Sequence, residues 1–361
     1  MKKLKVVVTL GLLPMFLIIK NIEVGNSVVE KYYSDFFYLY ISEKLRFITG
    51  WISIPIGDLL YLFIILSLIY FVFFRIKKST NILLNLGSSA FIFIFLFYVL
   101  WGLNYKRVPV KDHLNVDGNF EIKELTDFTE TLIDKINKKH IFLFKNDSVR
   151  PINEYSFTES IEISKNNIDK LKEKLKKPII KSDYKNVSVK KSLFSLPLTY
   201  MGFSGYINPF TNEANINYKI PSTSLIFVIN HEIAHQLGIA SEKDANFISY
   251  LMLISSDDEY LKYCGLSYAL RLCLNELSKL DYDKYQYLSQ KVNKGIIKDF
   301  VEINKFWKNY EGKIEKVSKK SYDLYLKQNN IQSGIKNYNE SISLILKYKF
   351  QTNEQKNNQF R

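Results

Sequence analysis

The chain is poor in the residues that staple small secreted folds: among its 361 residues there are two cysteines, Cys264 and Cys273. A disulfide scaffold is excluded. The two lie nine positions apart on a predicted helix, too far for a bridge whose Cα atoms sit about 6 Å apart. Both are expected to be buried and reduced. No stretch interleaves clustered basic residues with aromatics, so the formal charge of +14 reads as solvated lysine. No nucleic-acid partner is expected. Internal repeats are absent as well. Histidine is scarce, with four in the chain, so a pair at regular spacing carries information. Apolar residues are not scarce: 47% of the chain is hydrophobic and 15% aromatic, which argues against intrinsic disorder.

Those apolar residues are unevenly placed. Three runs in the first 104 residues, at about 4–19, 52–74 and 82–103, come near the roughly 20 residues that a helix needs to cross a bilayer. The first is short and follows Lys2 and Lys3 in the manner of a signal peptide. No small-x-small cleavage site follows it and two further runs do, so it is read as a retained span. Trp51, Trp101 and Tyr105 fall near span ends, where amphipathic rings prefer to sit. Lys2, Lys3 and Lys5 before the first run, and Arg75, Lys77 and Lys78 between the second and third, are expected on the cytoplasmic side. The 21–52 loop and everything beyond the third run then lie outside the cytoplasm. Lys106 and Arg107, just past the third run, count against that orientation.

From about residue 110 the apolar residues are spaced. Residues 121–138 and 157–176 carry the i, i+3, i+4 pattern of amphipathic helices, and residues 185–198 alternate as a strand would. Gly205–Ile220 reads as two short extended pieces around a turn at Pro209. Ser222 is the expected N-cap of the next helix, and more helices are expected over 258–280 and beyond 296. These signals divide the chain into a membrane region (1–104), one soluble domain (105–350) and a polar tail (351–361). The fold class they predict is α+β and mostly helical, with N-terminal transmembrane helices and the lipid bilayer as a partner.

The informative stretch is Asn230-His231-Glu232-Ile233-Ala234-His235-Gln236-Leu237-Gly238, an H-E-x-x-H pattern on a predicted helix. Residues four apart stand one turn above each other on one face. His231 and His235 can therefore aim two imidazoles at one ion. Glu232, one step round, is placed to take a proton from an attacking water and return it to a leaving group. A catalytic zinc keeps three protein ligands. Gly238 ends the helix as a C′ residue, and Ser241-Glu242-Lys243-Asp244 then fits a capping box opening a second helix. Glu242 is the candidate third ligand and Asp244 its rival. Asn246, on the same face as Glu242, would orient a ligand from behind. His113 and His140 have no partner at ligand spacing and are read as surface or core histidines. The run is too short, and too quickly followed by charge, for an intramembrane helix.

HEIAHQLGIASEKDANFISYL resembles the H-E-x-A-H-x-x-G-x-x-x-E-x-x-A-N-F block of bacterial membrane proteins grouped as domain of unknown function 3810. Trp101-Gly102-Leu103-Asn104-Tyr105 with Arg107 and Pro109 resembles the end of that family's membrane region. Gly205–Thr211 with Glu213-Ala214-Asn215 resembles its G-x-x-x-P-F-T-x-E-A-N segment. Tyr325-Leu326-Lys327 with Asn329, followed by Gly334–Tyr338, resembles its C-terminal block. The resemblance implies a multi-pass protein of the bacterial inner (cytoplasmic) membrane with a zinc site. The Glu-x-x-Ala-Asn spacing is also similar to the third-ligand helix of zincin metallopeptidases, which implies a zincin-like domain and places the ligand role on Glu242. Asp244 stands where the family has a second acidic residue before Ala-Asn, and the two remain alternatives. In zincins a rim strand pairs with an extended substrate. Here that role would fall to Gly205–Asn217, with Gly205, Tyr206, Asn208 and Asn215 as substrate-binding candidates.

The expected function is that of a membrane-anchored zinc-dependent hydrolase, foremost a metallopeptidase acting on a peptide or protein, with one Zn2+, Glu232 as base, and Tyr206 or Tyr325 near the oxyanion. Two alternatives are a silent membrane protein with a structural metal and a zinc amidase acting on envelope material.

Overall fold

The computed structural model describes residues 2–75, 81–116, 120–175, 179–329, 331 and 340–348. Lys77, Lys78, the Gly334–Tyr338 block and the polar tail lie outside the described residues. The chain is mostly helical, with one three-stranded sheet.

Among the described residues, three helices are long and apolar enough to cross a membrane: Lys2–Asn21, Ile56–Phe74 and Ile82–Leu100. The first is two helices, α1 (Lys2–Leu10) and α2 (Leu12–Asn21), meeting at Gly11. The second is α4 (Ile56–Tyr70) and its π-helical extension; the third is α5 (Ile82–Leu100). The first extends two residues beyond its predicted run at either end, whereas the second starts and the third stops a few residues inside theirs, because residues 52–55 are irregular and Gly102–Lys106 forms a 3-10 turn. Their large side chains face outward: Phe63, Ile65 and Leu66 of α4 and Leu83 and Phe93 of α5 are all exposed. Such surfaces match a hydrocarbon solvent and not water.

The segment between the first two apolar helices is itself helical. A π-helical stretch, Val29–Phe37, runs into α3 (Tyr38–Gly50). Its polarity is inverted. Glu30, Ser34, Ser42, Arg46 and Thr49 are buried, while Tyr32, Phe36, Tyr40, Phe47 and Trp51 are exposed. The polar face is turned inward because it hydrogen-bonds the rest of the protein.

Beyond the short α6 (Val110–Leu114) the pattern is that of an ordinary globular layer. α7 (Ile122–Phe144) opens on a Glu121/Glu124 capping box and α8 (Phe157–Lys174) on a Ser156/Glu159 box, each satisfying two amides that a helix start leaves unpaired. With α10 (Ser222–Gln236), α11 (Glu242–Ser255) and α12 (Glu259–Leu280) they enclose the main core around Leu132, Ile136, Ile229, Ile233, Phe247 and Leu270. α13 (Tyr282–Ser289), α14 (Lys294–Lys308) and α15 (Lys313–Gln328) complete the layer. Cys264 and Cys273 are free and buried in it. His140 is a core residue, its Nε2 2.9 Å from the Val149 carbonyl.

The predicted strand over 185–198 is only β1 (Val189–Lys191), followed by the helix α9 (Ser195–Met201). β2 (Gly205–Ile207) and β3 (Ala214–Ile216) are the two extended pieces. Their order is β1-β3-β2: β1 is parallel to β3, and β2 is antiparallel to it with Tyr206 opposite Asn215. β2 is therefore an edge strand beside α10.

Candidate metal centre

α10 starts one residue earlier than predicted. Pro221, with φ −53° and no amide hydrogen to lose, holds the cap position and Ser222 is the first helical residue. The helix ends at Gly238, whose φ of +83° is the left-handed conformation of a C′ residue. A Cβ there would also press to 2.9 Å from the Tyr38 ring.

The last carbonyls of a helix need outside donors. Here the N-terminal third of the chain supplies them. Tyr38 Oη donates to the His235 and Gln236 carbonyls (3.3 and 3.0 Å), and Arg46 Nη1 donates to Gln236 (3.2 Å). Trp101 Nε1 lies 3.4 Å from the His235 carbonyl, and Arg107 Nη1 donates to that of Gly238 (3.0 Å). Two buried guanidiniums thus face the negative end of the helix dipole. Arg107 is neutralised by Glu30, which also lies 3.2 Å from His113 Nε2. Lys190 pairs with Glu213, and the Glu213 carboxylate in turn accepts the first amides of α4, from Ile56 and Gly57.

So anchored, the helix brings its two histidines together. His231 Nε2 and His235 Nε2 lie 3.1 Å apart with the rings nearly perpendicular. Glu242 Oε2 is 3.2 Å from the first and 3.7 Å from the second. Glu242 comes from the first turn of α11, after the Gly238 turn and with Ser241 at the cap position. All three are buried.

The donor set fits a divalent cation. His235 Nδ1 is 2.6 Å from the Ile239 carbonyl, an oxygen that can only accept, so Nδ1 carries the hydrogen and a neutral ring points a lone pair from Nε2. Glu242 Oε2 is buried without a hydrogen-bond donor among the described residues. Lone pairs converging at this spacing need a positive charge between them. Tetrahedral ligands with bonds of about 2.0–2.1 Å sit roughly 3.3 Å apart, close to the spacings found. The electrostatics show that the cluster draws positive charge, a proton on the ring where no cation is held. Burial disfavours a charged His235, yet the Glu242 carboxylate outweighs it and pushes the imidazole up to about 9. Burial likewise opposes a charged Glu242, and the two imidazoles outweigh it, holding that carboxyl well below its usual range.

Asp244 points elsewhere. Its Oδ2 faces the Val110 amide at 3.5 Å in a separate cavity with Arg107, and burial pushes its carboxyl up to about 6. Of the two alternatives, Glu242 is the one brought to the histidines. Glu232 is buried, and burial raises its carboxyl above the ordinary value against the pull of both histidines. Its Oε1 sits where Gly205 leaves room: a Cβ on Gly205 would lie 2.8 Å from that oxygen. Asn246 lines the cavity in front of Glu232.

The other candidates separate. Tyr206 donates its hydroxyl to Asp58, in the first turn of α4, and is not aimed at the cluster. Asn208 Oδ1 accepts the amides of Phe210 and Thr211 and so builds the turn. Asn215 is buried on the central strand and lines neither cavity that meets at the cluster. Tyr325 packs edge-on against Tyr105. One turn before it, Tyr322 donates its hydroxyl to Glu242 Oε1. Sequence reasoning missed Tyr322, and its only signal was the position one turn from Tyr325 in a chain with 25 tyrosines. Arg46 was missed too, inside a segment read as a loop.

A mostly helical protein with three apolar helices among the described residues, and a buried His-His-Glu cluster shared between α10 and α11, is the class that fold and site define. Residues 33–346 match the family described as a protein of unknown function (DUF3810), and the chain belongs to it. No curated protein and no solved structure matches the chain.

Proposed function

We propose that the protein is a membrane-anchored, zinc-dependent hydrolase related to the zincin peptidases, and that it cleaves amide bonds at the His231–His235–Glu242 cluster. The observation that carries the reading is the convergence of two imidazole nitrogens and a carboxylate oxygen, all buried, beside a second buried carboxylate. A divalent ion held there would polarise a carbonyl and acidify water. Glu232 supplies the acid–base chemistry. Its raised affinity for a proton suits it to take one from the attacking water and give it to the leaving nitrogen. Tyr322 fixes the orientation of Glu242. β2 supports a peptide-like substrate. The bonds from Asn217 N–H to Ser204 O and from Asn208 N–H to Glu213 O bracket the Tyr206–Asn215 pair, so by the antiparallel alternation Gly205 and Ile207 turn their main-chain groups to the free edge.

The apolar helices support a multi-pass anchor, with the metal cluster on the extracytoplasmic side. Lys106 and Arg107, the charges that oppose this orientation, are both buried and Arg107 is paired; they do not report on headgroups as exposed lysines do.

The test is a Glu232→Gln variant of the full chain, assayed with the parent on a peptide library while metal content is measured. Both proteins are expected to hold close to one zinc per chain, with cleavage lowered about 10²–10⁴-fold in the variant. Equal cleavage by the two would remove Glu232 from the chemistry.

A further inference from the structure

Two cavities of opposite character meet at the cluster. The first, about 380 Å³, runs into the C-terminal layer, and Arg271, Asp299 and Lys319 bring charge to its walls. The second, about 530 Å³, runs toward the apolar helices. Both include Gly205, His231 and Glu232 in their walls, so the base stands at their junction.

Among the described residues the second cavity has no Lys, Arg or Asp in its wall; its ionisable groups are tyrosines, Glu232 and the cluster's own residues. Each of the three apolar helices contributes to it: Phe16 from α2, Tyr61 from α4, and Phe93 and Phe97 from α5. Phe16 and Phe93 are 52% and 47% exposed. The cavity therefore opens sideways between helices whose outer surfaces suit hydrocarbon, and its inner end is the metal cluster. A helix about 10–12 Å across would overfill it beyond a turn. An unwound peptide could pair with Gly205 and Ile207 at the inner end only, and farther out would leave backbone groups unpaired against aromatic walls, a cost of several kcal/mol for each group. A hydrocarbon chain has no such groups to satisfy.

We propose that the substrate is an amphiphile: a peptide-like head that enters the charged cavity, joined to one long acyl chain that lies in the aromatic cavity and enters it from the bilayer. This rests on the hydrolase reading above and adds the class of substrate. Water adds across the amide C–N bond at the junction. One half leaves with a carboxylate and the other with an amine, Glu232 passes the proton to nitrogen, and no further reactant is needed.

The test uses the full-length Glu232→Gln protein in lipid nanodiscs and a short peptide N-acylated with a palmitoyl chain bearing a terminal diazirine. After irradiation, the labelled residues are mapped by mass spectrometry. Label is expected on Phe16, Tyr61, Phe93 and Phe97, and unlabelled palmitoyl peptide should displace it at least about tenfold more effectively than the acetyl form, since only the former buries the chain. Label spread over the outward faces of the apolar helices, undiminished by competitor, would overturn the proposal. Displacement that is equally good with a non-acylated apolar peptide of membrane-span length would also overturn it and assign the cavity to a protein segment. Zinc content of the same sample separates the two readings. Specific labelling without zinc keeps the substrate class and removes the hydrolase, whereas zinc without specific labelling does the reverse.

Discussion

In α4, Phe63, Ile65 and Leu66 face outward while Gly57 and Asp58 are buried; in α11, Leu251, Met252 and Leu253 face inward. The same residue types thus serve opposite surfaces in the N-terminal helices and in the C-terminal layer. What joins the two regions differs from both. Their seam is built largely of buried polar groups: Arg46, Arg107 with Glu30, Lys190 with Glu213, and Asp58. A region that turns its apolar surface outward, and one that buries it in a core, have directional bonds left with which to hold each other. The helix that carries both histidines ends in that seam, so the geometry of the site depends on both regions at once.

The sharpest way to break this comparison is to cut the seam. Arg46→Ala would orphan the Asn186 carbonyl and the Asn212 amide oxygen, and leave the Gln236 carbonyl to Tyr38 alone. It is expected to destabilise the full chain by about 3–5 kcal/mol, read by thermal unfolding in detergent. A loss within about 0.5 kcal/mol, the range of ordinary surface changes, would mean that the regions are held together elsewhere.

A second prediction uses the two carboxylates of α11's first turn. Asp244 titrates at about 6 in the fold against an ordinary aspartate value of about 3.9. Because the folded pKa is raised, its contribution is full below the unfolded value and is lost as pH climbs through about 6. Asp244→Asn keeps an acceptor for Val110 and should remove this slope, leaving the variant more stable at pH 7 by up to about 3 kcal/mol. Denaturant unfolding across pH 4–7 checks it; parallel curves for both proteins would place Asp244 in a less buried setting.

The smallest effect is expected at Tyr322. Tyr322→Phe removes the hydroxyl that holds Glu242 Oε1 and should weaken zinc about 10–100-fold, measured by competition with a chelator. Unchanged affinity would reduce Tyr322 to a packing residue.

Much of the site was legible as spacing. His231 and His235 stand one turn apart on any helix, and Gly238 followed by Ser241 announced that a second helix would begin close by. Glu242 was the favoured third ligand, but its rival Asp244 occupies the same first turn, and only the packing against Val110 separates the two. Tyr322 was not legible, since it reaches Glu242 from a helix 80 positions away. The three apolar helices were plain from their runs. The role of residues 29–50 was hidden, since a helix whose polar face is its inner one gives the same periodicity as a water-facing helix with the opposite side buried. Only the burial of Arg46 beneath exposed Tyr40 and Phe47 resolves which way it is turned.

The central claim is that the cluster holds an ion. X-ray absorption at the zinc K-edge of the purified full-length protein tests it most directly. The account predicts a four-coordinate zinc with two imidazole nitrogens at about 2.0–2.1 Å and oxygen ligands at about 2.0–2.2 Å, and loss of that signal in His235→Ala. Protein that retains no zinc, or a spectrum that survives the loss of His235 unchanged, would contradict it.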